Sequence, residues 1–288
     1  MNGTSIRRWA ALTTQAKAYT RLQRLLRGLV VAAIVGGLLL PFIPLIIWSV
    51  SHRWYFPAVT PTEWSLRAWR YVFSPNTQVL TALGYSFTIA TLTTLLSIVI
   101  GIPAGRAMGL YRFRGKTVVR FLILAPTIVP PLAVAMGIHI LFIRYGLANT
   151  LGGVVLVHLI PVTPYMVLVM SSVFANYNPE YEQQARSLGA NSWQVFVHIT
   201  LPAILPGIMV GGLFAFIISW SEYLLTVLIG GGQVVTLPLL LFSFANSGDN
   251  PITAALSIIF IGPAVIFLML TSRYLTGQHA AIGGIGKL

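Results

Sequence analysis

The chain has 288 residues, 56% of them hydrophobic and only 8% charged, with a mean hydropathy of +0.83. Soluble domains carry about 25% charged residues, so most of this surface is built for lipid, and a chain folded for water is excluded. The net charge of +13 gathers at the ends of apolar runs and not in a stripe interleaved with aromatics, which marks membrane topology and argues against a nucleic-acid partner; the lack of cysteine removes disulfides, thiolate metal sites and cysteine nucleophiles.

The apolar runs predict an all-α, polytopic membrane protein of about six transmembrane helices. At about 20 residues per span, six spans fit in one membrane domain over residues 29–275. The first span covers residues 29–50, bent by Pro41 and Pro44. It follows a polar, basic segment (residues 1–28) and is too long for a cleaved signal, so it reads as retained. A hydrophilic stretch over 51–82 holds Trp54, Trp64 and Trp69, and its residues 62–69 suit a short surface helix. Further spans are expected over 85–108, 119–143 (with Pro126, Pro130 and Pro131), 151–174, 203–229 and 252–274, followed by a tail over 276–288. Gly101, Gly105 and Gly109 form a small-residue ridge suited to close helix contact.

Lysine and arginine set the orientation. Arg7, Arg8, Lys17, Arg21, Arg24, Arg27, Arg106, Arg112, Arg114, Lys116, Arg120, Arg186, Arg273 and Lys287 fall on one side, against Arg53, Arg67, Arg70 and Arg144 on the other. The basic side is cytoplasmic, so both termini and the polar stretch over 175–202 are expected there.

That stretch is more than a linker. Asn178 suits a helix N-cap, Pro179 the first helical position, and Glu180 and Glu182 the first turn, where the helix dipole favours acids. The helix should run to Leu188 and end at Gly189. Asn191 or Ser192 can cap a second short helix over 193–199, with Pro202 and Pro206 marking entry into the next span. Tyr181, Ala185 and Leu188 share one face. The product is a compact elbow shaped for a partner's groove, with an amphipathic helix resting on the bilayer as the alternative.

Within it stand Gln183-Gln184-Ala185, three residues, Gly189, nine residues, Ile199, one residue, Leu201-Pro202. This spacing resembles the cytoplasmic loop of importer permeases of the ATP-binding-cassette (ABC) superfamily, whose pattern begins Glu-Ala-Ala and ends Ile-x-Leu-Pro. The resemblance runs from about residue 80 to 274. Tyr111-Arg112-Phe113-Arg114-Gly115 and the prolines at 126, 130 and 131 are more similar to the spermidine/putrescine branch of type I importers than to the sugar-permease branch. It implies a type I importer permease fold and a coupling loop over 175–202, with Glu182, Gln183, Gln184, Ala185, Leu188, Gly189, Ala190, Ile199, Leu201 and Pro202 at the ATPase contact. Gln183 stands where the family has glutamate, so either Glu182 supplies the acidic contact or a neutral hydrogen bond replaces it.

No Walker A loop occurs. An ATPase partner is therefore required; ATP and Mg belong to that partner, and this chain is expected to bind no cofactor. The resemblance further implies an ATPase dimer, a second permease subunit, more readily a different homologous chain than a second copy, and an external substrate-binding protein. Glu222 is the one acid inside an expected span, flanked by Trp220 and Tyr223. A carboxylate in a water-lined cavity could meet a cationic substrate with cation–π help, or be purely structural, hydrogen-bonded to a neighbouring helix or placed near the external mouth. His139 and His158 are lone histidines suited to interhelical hydrogen bonds, Ser219, Ser221 and Thr226 suit helix packing, and no pair has metal-site spacing. A secondary transporter would need more intramembrane acids, and a membrane enzyme more clustered His, Asp or Glu, than five acidic residues allow.

Overall fold

The computed structural model describes residue 23 and residues 26–54, 57–58 and 60–275. The tail expected over 276–288 lies outside the described residues, as does most of the basic segment over 1–28.

Helix α1 (Leu26–Ser49) is an apolar span interrupted at Leu40 and Pro41, where the proline has no N–H to give. Strands β1 (Ser51–Arg53) and β2 (Glu63–Trp64) then pair antiparallel, with Ser51 opposite Trp64 and Arg53 opposite Glu63. Glu63 and Trp64 are thus strand and not part of the surface helix expected over 62–69. The helix starts later, as α2 (Arg67–Val72), with Ser65 Oγ accepting the Arg67 N–H. Pairing across the ladder satisfies backbone groups that a helix start would leave open.

Helix α3 (Val79–Leu110) has 32 residues, about 48 Å at 1.5 Å per residue, so it outruns the hydrocarbon core at both ends. The third expected span is divided into α4 (Lys116–Ile128) and α5 (Pro131–Arg144), which meet at 99°. The cause lies in the two consecutive prolines. Val129 (ψ 134°) and Pro130 (ψ 127°) each precede a proline and are held extended, so the helix cannot pass through them. Helix α6 (Leu151–Ala175) follows, its N-terminus capped by Thr150 Oγ1, which accepts from the Gly153 N–H at 3.0 Å. After α7 (Glu180–Ser187) and α8 (Ser192–Val195), a π-helical turn (Phe196–Thr200) leads into α9 (Leu201–Trp220). The fifth span ends there and not at 229. A separate α10 (Leu224–Gly230), α11 (Leu237–Ser247) and the last span, α12 (Asn250–Leu275), complete the chain. Among the described residues five helices are long and apolar enough to cross a membrane, six if α4 and α5 form one broken span.

The bundle is organised around α3, α6 and α9, which bury Val162, Met166, Met170, Phe174, Ile204 and Ala215 between them. Gly101 packs on Met166, Gly105 on Met170 and Gly109 on Phe174. The constant offset shows that α3 and α6 run parallel, with their C-termini at the same end. At Gly109 an added Cβ would lie 2.7 Å from the Ser171 carbonyl and 2.9 Å from the Ala175 nitrogen, both rigid backbone. The glycine ridge is therefore needed for approach distance, as its spacing suggested.

Gly105→Ala is expected to lower the unfolding temperature of the detergent-solubilised protein, since overpacking costs on the order of 1–3 kcal/mol. Gly84→Ala on the same helix meets nothing within 4 Å and should leave it unchanged or raised. Equal melting of the two variants would refute the close-packing role.

Candidate functional site: an elbow and a helix break

The elbow forms largely by local rules. Asn178 Oδ1 accepts from the Glu180 N–H at 2.9 Å, and α7 begins beside it, one residue later than the Asn178 cap implies. The helix ends at Leu188. Gly189 takes φ +90°, which lets the Ala190 N–H reach back to the Ala185 carbonyl at 3.0 Å. Asn191 and Gln194 then form a reciprocal capping box, each bond 2.9 Å.

Beyond this point the structure departs from expectation. The second helix does not stop at 199. Residues Ser192–Trp220 are one 29-residue rod in which α8 widens into the π-helical turn and continues as α9. The widened turn lies directly before Pro202, whose ring would collide with the His198 carbonyl in a regular α-helix. The elbow's second arm is thus the N-terminal end of the fifth span. Ile199 and Leu201 are half-buried along it, and Pro202 is exposed.

Glu182 does not point outward. It is 6% exposed and receives both nitrogens of Arg106, at 2.9 and 2.8 Å. The Tyr177 hydroxyl (3.0 Å) and the Thr200 hydroxyl (2.9 Å) also donate to Oε1. Arg106 lies over the Phe174 ring, 5.7 Å from its centroid. One carboxylate therefore ties α7 to the C-terminal ends of α3 and α6 and to the rod that becomes α9. The Arg106 hydrogen bonds hold this carboxyl well below the usual range, at about 2, against an opposing push from burial and with help from Thr200 and Tyr177. The expectation that Glu182 could supply an acidic contact to a partner does not fit this placement: the carboxylate is buried and accepts four hydrogen bonds within the chain. Arg106 was legible only as a topology signal, because the pair spans 76 residues of sequence.

The outward face is different in character. Glu180, Gln183, Gln184, Ser187 and Leu188 line a shallow open depression. Leu188 is 89% exposed at the corner, with Tyr181 and Trp193 also exposed, while Ala185 and Ala190 are half-buried beneath.

The second site is the interruption between α9 and α10. Glu222 sits in it, half-buried and outside any helix, not within a span. Its Oε1 accepts from the Leu225 N–H at 3.1 Å and caps α10; Oε2 has no partner among the described residues. Tyr223 is half-buried against Phe242, ring centroids 4.4 Å apart. Trp220 is 2% exposed, stacks against the rings of Phe216 and Phe260, and donates its Nε1–H to the Phe260 carbonyl at 2.9 Å. The expected cation–π role for Trp220 does not fit this arrangement, since the ring is buried among aromatic side chains. Among the described residues no group of His, Asp and Glu is placed to hold a metal.

Residues 97–276 match the family described as binding-protein-dependent transport system inner membrane component. The putrescine transport system permease protein PotI of Escherichia coli (strain K12) is 31% identical over 232 residues, which cover 77% of this chain and 80% of that protein. The spermidine/putrescine transport system permease protein PotC of the same strain is 25% identical over 267 residues, 92% of this chain and 98% of PotC. That alignment takes in most of the first 80 residues, where no family motif was legible. In fold, the chain resembles a subunit of a bacterial ABC transporter that imports the acidic polysaccharide alginate (TM-score 0.67, 18% identity, 88% of this chain and 96% of that one). It also resembles a chain of the MetNI methionine ABC transporter (TM-score 0.54, 12% identity, 69% and 94%).

Two outcomes follow from the buried carboxylate. Its depressed pKa stabilises the folded state above its ordinary value of 4.5, and that contribution is lost as pH falls from there towards about 2. The wild-type melting temperature should therefore drop between pH 5 and pH 3 by more than that of Glu182→Gln; parallel curves would contradict the pairing. Arg106→Gln leaves the charge buried without a partner, so it should destabilise by on the order of 3–5 kcal/mol. Arg106→Leu combined with Glu182→Leu should recover part of the loss in the same melt.

Proposed function

Because the chain belongs to the family of binding-protein-dependent transport system inner membrane components, and is a permease subunit of an ABC importer, we propose that its elbow docks an ATPase dimer and that its pathway carries a polyamine-like cation. ATP and Mg are used by that partner, and this chain holds no cofactor of its own. One observation carries the docking: an exposed, uncharged Gln183-Gln184 face and Leu188 tip stand on a buried ionic anchor. Partner contact is made by hydrogen bonds to Gln183 and Gln184 and by apolar insertion of Leu188, with Glu180 in the same depression as the exposed acid, because Glu182 is committed inside.

The anchor also defines how force passes. A push on α7 reaches the second span through Glu182 and Arg106, and reaches the fifth directly, since α8 and α9 are one rod. Movement of these spans alternates access to the pathway. Polyamine specificity is supported by Oε2 of Glu222, unpaired among the described residues, in a break between helices, and by the similarity to the putrescine permease PotI and the spermidine/putrescine permease PotC. A second permease chain completes the pathway and a binding protein delivers substrate outside, as a periplasmic protein does in a complex of the alginate transporter. Both termini are cytoplasmic.

Gly189→Pro, which cannot hold φ +90°, should abolish ATP hydrolysis stimulated by loaded binding protein in proteoliposomes while the chain still inserts. Retained stimulation would overturn docking through the elbow. Glu222→Gln should reduce putrescine uptake about tenfold, the effect of losing roughly 1.4 kcal/mol of charge interaction; unchanged uptake would point to a neutral substrate.

A further inference from the structure

His158 lies in the middle of α6, 1% exposed, with both ring nitrogens engaged. Nδ1 is 2.8 Å from Ser219 Oγ, near the end of α9, and Nε2 is 2.9 Å from Thr226 Oγ1, in the first turn of α10. The two hydroxyls stand on opposite sides of the break that holds Glu222. The proton positions follow from the bonds around them. Thr226 donates its only hydroxyl proton to the Glu222 carbonyl at 3.0 Å, so it must accept from His158 Nε2–H. In a neutral ring Nδ1 is then the acceptor and takes the Ser219 proton. A directed chain results, from the Ser219 hydroxyl through the imidazole and the Thr226 hydroxyl to the backbone carbonyl of Glu222.

Glu222 itself is held by little else. Its N–H reaches the Ser219 carbonyl at 3.3 Å, and its side chain caps α10. The break carries no glycine, and its two proximal residues, Ser221 and Glu222, make only short-range bonds to α9 and α10. The ring on α6 is thus a hydrogen-bonded fixed point outside those helices, beside the packing of Leu225 and Ile229 against Val154 and Val157 and of Tyr223 against Phe242. We infer that His158 is a positioning residue that pins α10 across the break and thereby sets the placement of Glu222. The inference rests on the reading of Glu222 as a pathway residue for its meaning in transport, but not for the pin itself.

The chain has no cysteine, so Ser221→Cys places a single thiol in the break, with Glu222 left intact. In the assembled transporter in proteoliposomes, the rate of its modification by a water-soluble maleimide reports the position of the break. His158→Gln keeps a donor long enough for Thr226, whereas His158→Asn, of the same polarity, reaches only towards Ser219. His158→Asn and Thr226→Val are each expected to change the modification rate about fivefold, the size of one lost buried hydrogen bond. His158→Gln should stay within about twofold of the parent under the same reasoning.

Unchanged rates in His158→Asn and Thr226→Val would overturn the pin. So would His158→Gln behaving like His158→Asn, since a ring needed only to fill space would not separate them. Putrescine uptake distinguishes the two readings. If Glu222 serves the pathway, His158→Asn and Glu222→Gln lower uptake non-additively when combined. Shifted thiol rates with full uptake in Glu222→Gln would sink the substrate role of Glu222 and leave the pin standing.

Discussion

The bidentate pair between Arg106 and Glu182 is the interaction on which the working end of this protein depends. An arginine placed one turn from the end of a long membrane helix, and a glutamate on a short helix outside the bundle, are both costly to bury alone. Together they offset that cost, with Tyr177 and Thr200 both donating to Oε1 of the carboxylate and the Arg106 guanidinium over the Phe174 ring. Four segments meet at this one carboxylate. Without it the elbow would be a locally folded turn, correctly capped at each end but free to move independently of the spans.

The backbone irregularities have identifiable causes, and they fall where the chain must change direction or yield. Pro130 and Pro131 divide the third span by forcing two residues extended. Pro202 is accommodated by a π-helical turn, so a residue that marks an end in sequence lies inside a continuous rod. Gly189 makes the corner by taking positive φ. At Ser221 and Glu222 no proline or glycine is present, and the interruption is maintained by side chains: Glu222 capping one helix, and His158 reaching hydroxyls on both. By contrast the α3–α6 contact is regular, because glycines at four-residue spacing let two parallel helices approach along a straight seam.

These features divide the molecule into a stiff part and a directed part. The seam, the Trp220 stack and the core about Met166 and Met170 make α3, α6 and α9 one packed unit. The elbow and the Glu222 break lie at different points along α9, so a displacement at the elbow and a response at the break share one helix. In this permease Glu182, at the elbow, and His158, inside the bundle, are buried polar side chains whose hydrogen bonds connect separate helices.

By itself the sequence determined the class, the spans and the elbow. Apolar content and basic-residue asymmetry are properties of composition, and capping at Asn178, Gly189 and Asn191 depends on residues within a few positions of each other, so local rules suffice. The glycine ridge was legible for the same reason. Only the tertiary structure decided the partners. Glu182 was open to an outside contact until Arg106, 76 residues away, was seen to occupy it. Trp220 was open to a cation–π contact until its ring was found buried and stacked against Phe216 and Phe260. Glu222 counted as a mid-span acid until the helix was found to end before it. Each of these depends on which helices are neighbours and at what register, and a lipid-facing and a buried position carry the same apolar residues, so no periodicity in the sequence distinguishes them.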